Sequence, residues 1–163
     1  MSAIERAEQD VERGDYGLAR VRLASYLNAK GYDADMLNRL GEISFEMHDP
    51  SQAGRYWLAS TAEGPQVEEA VAAFVGRTGI DARVTVSRLP RAVREAPMSA
   101  LPPVAKDRLR DLGLDETLSQ WGTLERHPAA GSGWLAVPLI ILALVGIVVF
   151  CIGIGTITSW MFG

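Results

Sequence analysis

The sequence is poor in the residues that build metal and redox sites, with a single cysteine and two histidines among 163 residues. One cysteine, Cys151, forms no intramolecular disulfide, and neither histidine has a thiol or a second histidine at ligand spacing. The chain also lacks the GxSxG, HExxH, Walker A and GxGxxG motifs. We therefore expect no metal, no other cofactor and no enzymatic activity.

Charge is missing from the C-terminal part of the chain. All 16 Lys+Arg and all 20 Asp+Glu lie between Glu5 and Arg126. Residues 135–157 form an uncharged, mainly apolar run that is roughly 34 Å long as a helix, whereas the hydrocarbon core of a bilayer is about 30 Å thick. This run predicts one transmembrane helix within residues 134–162.

Basic residues flank this predicted span on one side only. Arg126 lies just ahead of it, Lys106, Arg108 and Arg110 lie further up the chain, and no Lys or Arg follows it. Lys and Arg near a span favour the cytoplasmic side, and the N-terminus, charged from Glu5, has no apolar signal segment. We expect a tail-anchored, single-pass protein with a cytoplasmic domain at 1–126 and a linker at 127–133.

Small residues recur every four positions in the predicted span, at Cys151, Gly155 and Ser159. Such a face lets two transmembrane helices approach closely, so it favours an oligomer or a partner helix in the bilayer. The alternative is that small residues are simply frequent in spans.

The N-terminal part contains an internal repeat. A shift of 34 residues superposes two stretches with four identities, which are Glu8 on Glu42, Glu12 on Glu46, Asp15 on Asp49, and Ala19 on Ala53. Each stretch predicts two helices joined by a short turn, with Asp15 and Asp49 as the N-caps of the second helices. We expect Asp35 to cap the first helix of the second unit, residues 66–89 to form a poorer third unit, and helices near 103–112 and 115–121 to follow in an all-α fold.

This pattern resembles the tetratricopeptide repeat. The matching residues are Ala7, Gly14-Asp15-Tyr16 and Ala19 in the first unit, and Leu40-Gly41, Asp49-Pro50 and Ala53 in the second. Arg6 and Ser44 depart from the usual Leu and Tyr. The resemblance covers residues 2–62 and, weakly, 66–89. Together with a Phe-containing helix and a later Leu-Pro/Arg segment, the Gly-Asp-Tyr unit also resembles an uncharacterised actinobacterial family with repeat-like N-termini.

In proteins resembling this repeat, the first helix of each unit lines a concave groove that holds a partner peptide. The resemblance therefore implies a partner-binding acidic strip, which consists of Glu8, Glu12, Glu42, Phe45 and Glu46. A basic peptide suits such a strip. The alternative is a solvated outer face whose charge is offset by Arg6 and Arg39.

Arginines concentrate in the second half of the domain, at Arg77, Arg83, Arg88, Arg91 and Arg94. They suggest contact with anionic lipid headgroups or with an acidic partner. The alternative is an ordinary solvated face, or ion pairs with the acidic half. Nucleic-acid binding is not expected, because the chain has a net charge of -4 and no recognition motif.

These features favour a membrane-anchored scaffold or adaptor that presents a small helical-repeat groove to the cytoplasm. The alternative is an accessory or regulatory subunit of a membrane complex, in which the transmembrane helix makes the functional contacts. Function that survives replacement of the span by an unrelated one supports the adaptor.

The predicted topology is directly testable. Protease added outside sealed, right-side-out cells should leave residues 1–126 intact, because the basic flank at Arg126 favours the cytoplasmic side. The measurement is immunodetection of an N-terminal epitope before and after cell permeabilisation. Digestion of the domain from outside would show that the orientation is wrong.

Overall fold

The computed structural model describes residues 3–79 and 81–126. The chain divides into two units, Met1–Arg126 and His127–Gly163, and the described residues all belong to the first. Their secondary structure is helical, as predicted. The α-helices are α1 (Ala3–Glu12), α2 (Tyr16–Lys30), α3 (Ala34–Glu46), α4 (Pro50–Trp57), α5 (Pro65–Thr78), α6 (Ala82–Ser87), α7 (Arg91–Arg94), α8 (Pro103–Asp111) and α9 (Asp115–Arg126).

The α1–α2 and α3–α4 turns have the same local geometry. Gly14 and His48 take the left-handed conformation, with φ of 78° and 59°. The next residue in each turn is the N-cap of the following helix: Asp15 accepts a hydrogen bond from the amide of Leu18 at 3.2 Å, and Asp49 accepts one from Gln52 at 3.0 Å. These caps are the ones that the sequence predicts.

The start of α3 differs from the prediction. Asp33, not Asp35, is the N-cap, and its carboxylate accepts a hydrogen bond from the amide of Met36 at 3.1 Å. Asp33 has the extended backbone of a cap residue, with φ of -151° and ψ of 113°, whereas Asp35 lies within the first helical turn. Both acids are favourable near a helix N-terminus, so composition alone does not separate them.

Helices α1 to α5 pack in sequence, each against the next, and the contact between α4 and α5 is the most extensive. Two glycines permit this packing. A Cβ on Gly41 would lie 2.2 Å from Nε1 of Trp57, and a Cβ on Gly54 would lie 2.0 Å from the carbonyl oxygen of Ala70. The close packing of α3 on α4 and of α4 on α5 therefore requires glycine at these two positions.

The C-terminal helices form a second group of contacts. Helix α9 packs on α6, α7 and α8, and α7 returns to contact α2. A 2.7 Å hydrogen bond between the hydroxyls of Thr78 and Thr85 joins the end of α5 to α6. Through α7, the chain passes back across the N-terminal helices.

Arg108 connects α8 to the N-terminal helices. Its side chain is only 7% exposed and donates to the carbonyl oxygens of Trp57 at 2.9 Å and Ala62 at 2.8 Å, and to the carboxylate of Glu68 at 3.2 Å. The guanidinium thus satisfies the carbonyl of Trp57, the last residue of α4, and that of Ala62 in the segment between α4 and α5. Arg108 follows the buried Ala105 by three positions, so a charge on the apolar face of α8 is the sequence signal for this contact.

The packing of Gly41 predicts a sharp contrast with a glycine elsewhere. Gly41→Ala should lower the free energy of unfolding by about 2 kcal/mol, because the new methyl group collides with the buried Trp57. Gly76→Ala should raise it by roughly 0.5–1 kcal/mol, because Gly76 lies in α5 with open space around its Cα. Denaturant unfolding of the full chain in mild detergent, followed by circular dichroism, measures both. Equal effects would contradict the packing.

Arg108 yields a second stability prediction. Arg108→Leu should cost about 3 kcal/mol, because it leaves two backbone carbonyls without their donor. Glu68→Gln is the matched control and should cost less than about 1 kcal/mol, because Glu68 is 62% exposed. The same unfolding measurement applies. If Glu68→Gln is as costly as Arg108→Leu, the ion pair rather than the carbonyl contacts supplies the stability.

Candidate functional site

The acidic strip is held together by Arg39 of α3. Its guanidinium donates to both oxygens of Glu8 on α1, at 2.6 and 3.0 Å, and to Glu42 at 2.9 Å. Hydrogen bonding to Glu8, and then to Glu42, raises the pKa of Arg39 above its ordinary value despite partial burial. The structure therefore brings two of the predicted carboxylates together around one cation.

The other acids of the strip lie one helical turn further along. Glu12 follows Glu8 by four residues and Glu46 follows Glu42 by four, and both are exposed. Neither carboxylate has a hydrogen-bond or ion-pair partner within the described part of the chain. Phe45 is 39% exposed and packs its ring against Trp57, with the centroids 5.6 Å apart. The strip thus combines two partnerless carboxylates with an accessible aromatic edge.

A groove of about 700 Å³ lies between α2, α4, α5 and the segment that contains α7. Its inner wall includes Leu27, Phe74 and Leu89, which are almost fully buried. Five arginines line the groove, namely Arg55, Arg77, Arg88, Arg91 and Arg94. We call this feature the arginine groove.

The arginine groove contains four of the five arginines that the sequence singles out. Arg83 is not among its lining residues and lies exposed in the first turn of α6. Arg55 is the residue that sequence reasoning missed, because it lies in the acidic half of the chain. Its Nε donates to the carbonyl oxygen of Arg88 at 2.6 Å, and only the fold reveals that proximity.

Other candidate features have a structural explanation. A second groove, of about 570 Å³, surrounds Arg108, which already bonds to two carbonyls and Glu68. Nδ1 of His48 lies 3.0 Å from the carbonyl oxygen of Glu46 in the α3–α4 turn. Within residues 3–79 and 81–126, no three His, Cys, Asp or Glu residues converge in a way that would hold a metal ion.

The predicted membrane features lie outside the described residues. These are the span at 134–162 and its small-residue face of Cys151, Gly155 and Ser159. Among the helices that the structure does describe, none has the length and apolarity required to cross a bilayer.

Comparison with known proteins gives one match. The model of DUF6584, a family of unknown function, matches residues 1–160. The match covers the helical unit and almost the whole of the predicted span. No curated protein and no solved structure matches the chain.

Proposed function

The chain belongs to DUF6584, a family of unknown function, and we propose that it is a protein-interaction adaptor whose helical unit is attached to a membrane by one span. The family match supports treating the two parts as one functional chain, because it runs through both. In this proposal, the helical unit faces the cytoplasm and the span within 134–162 confines it to the membrane surface.

The likeness of the helical unit to tetratricopeptide repeats supports the binding role. Two helix-turn-helix units have equivalent caps 34 residues apart, at Asp15 and Asp49. Gly41, which is one of the positions that match the repeat, leaves the space that the indole of Trp57 occupies. We propose that α1 and α3 correspond to the groove-lining first helices of this repeat, with α5 as the first helix of a third unit.

The bridge through Arg39 is the observation that carries the proposal. It joins Glu8 of α1 to Arg39 and Glu42 of α3, so carboxylates of both units lie around one guanidinium. Because Glu8 and Glu42 are already bonded to Arg39, a ligand's cations have Glu12 and Glu46 as their primary partners. We propose a basic peptide as the ligand, with Phe45 against the aliphatic part of its Lys or Arg side chains.

Charge reversal of Glu12 and Glu46 tests this function without breaking the Arg39 bridge. Capture of the natural partner by full-length protein in mild detergent should weaken about tenfold in Glu12→Lys with Glu46→Lys, because two attractive contacts become repulsive. Binding to wild type should also weaken as salt rises. Circular dichroism should show an unchanged helical content, since both residues are exposed.

The matched control is Glu69→Lys with Glu116→Lys, which makes the same charge change at exposed acids outside the strip. This control should retain the partner. Equal loss in the two double variants would mean that net charge alone governs capture, and full binding by the strip variant would show that the partner binds elsewhere. A chain with an unrelated span should still capture the partner; if only the native span does so, the protein is a subunit that acts through its transmembrane helix.

A further inference from the structure

The arginine groove has more cationic than anionic groups around it. Of its five guanidiniums, Arg91 pairs with Glu95, and Arg77 lies 3.9 Å from Asp49, the N-cap of α4. Asp49 also accepts the amide of Gln52 at 3.0 Å, so its charge is shared. The described residues that line the groove include no Asp or Glu, so the lining itself has a positive excess.

Arg55 and Arg88 make this excess available to a ligand. Arg55 uses Nε on the carbonyl oxygen of Arg88 and lies 5.7 Å from the centre of the Tyr56 ring. Its two terminal nitrogens have no partner among the described residues, and neither does the guanidinium of Arg88. A guanidinium fixed in this way is pre-organised to donate two parallel hydrogen bonds to a carboxylate.

The shape of the groove favours a chain segment over a flat surface. Arg77 and Arg91 stand at the rim, where their side chains are 68% and 69% exposed. Leu27 and Phe74 belong to the inner wall and are only 1% and 4% exposed. About 700 Å³ lies within the range of pockets that enclose a ligand. A concave space of this size can hold the side chains of a peptide segment.

We propose that the arginine groove binds an acidic peptide segment of a partner protein, with an apolar side chain between carboxylates. The apolar side chain contacts the wall formed by Leu27, Phe74 and Leu89, and the carboxylates bind Arg55, Arg77 and Arg88. The rim arginines attract the segment from a distance. This site is independent of the acidic strip, so the adaptor has a second surface for a ligand of opposite charge.

Direct binding to a defined peptide tests the groove. The full chain is placed in phosphatidylcholine nanodiscs and titrated with fluorescein-labelled Glu-Asp-Leu-Glu-Asp, followed by fluorescence anisotropy. Wild type should bind, and its affinity should fall as salt rises. The uncharged peptide Gln-Asn-Leu-Gln-Asn should not bind. Absence of binding by the acidic peptide would overturn the proposal.

Two double variants separate the groove from net charge. Arg77→Gln with Arg88→Gln removes two groove cations and should weaken acidic-peptide binding by about tenfold or more. Arg13→Gln with Arg83→Gln removes two exposed arginines outside the groove and should leave binding unchanged. Unchanged helical content by circular dichroism verifies that both variants fold. Equal weakening in both variants, or full binding by the groove variant, would overturn the proposal.

A lipid occupant is distinguished by a second measurement. When phosphatidylserine is added to the nanodiscs, the change in unfolding temperature should be the same for wild type and for the groove variant. If they stabilise wild type and the Arg13 and Arg83 variant but not the groove variant, and the peptide does not bind, the groove is a headgroup site and the proposal is wrong.

Discussion

The buried guanidinium of Arg108 fixes the position of the C-terminal helices, and the arginine groove depends on that position. Two of its acceptors are the backbone carbonyl oxygens of Trp57 and Ala62. The contact therefore depends on the backbone path at and after the end of α4 more than on the side chains there. Helix α8 carries Arg108, α9 packs on α8 and α7, and α7 supplies one rim of the groove. The contacts of one buried cation thus lead, through α8, α9 and α7, to the arginine groove. The desolvation of Arg108 is compensated because its guanidinium donates to two carbonyl oxygens and one carboxylate within 3.3 Å.

Local sequence signals predicted the parts of the fold that local chemistry determines. Asp15 and Asp49 cap their helices as expected, because a carboxylate after a left-handed residue satisfies an amide that no other group in the turn satisfies. The cap of α3 was misplaced at Asp35, since two acids in the sequence Asp-Ala-Asp are equally suitable by composition and only the extended backbone at Asp33 decides between them. The last helix continues to Arg126, past the expected end near Trp121, although Gly122 lies between these residues, because the propensity of a single glycine is too weak a signal to end a helix.

Surfaces assembled from distant segments were harder to predict than helices. The repeat of 34 residues correctly grouped Glu8 with Glu42, because equivalent positions of stacked units lie side by side, and Arg39 was already recognised as a counter-charge. The arginine set was grouped by proximity in the sequence, which does not distinguish the faces of successive helices. Arg83 therefore entered the set although the fold leaves it outside the groove, whereas Arg55 was missed because 33 residues separate it from Arg88.

The strip and the groove differ in how far the chain neutralises its own charge, and this difference separates the two modes of binding that we propose. In the strip, Arg39 already satisfies Glu8 and part of Glu42, so a basic ligand gains its new contacts mainly at exposed carboxylates, where water and salt weaken each pair. In the groove, Arg55 is held in place by a backbone carbonyl while its terminal nitrogens stay available, beside a buried apolar wall. An acidic segment that enters this space would bind a guanidinium, that of Arg55, which is already oriented. Little additional side-chain conformational entropy would therefore be lost on binding. In the binding that we propose, the groove would therefore discriminate among ligands by shape as well as charge, and the strip would mainly accelerate their encounter.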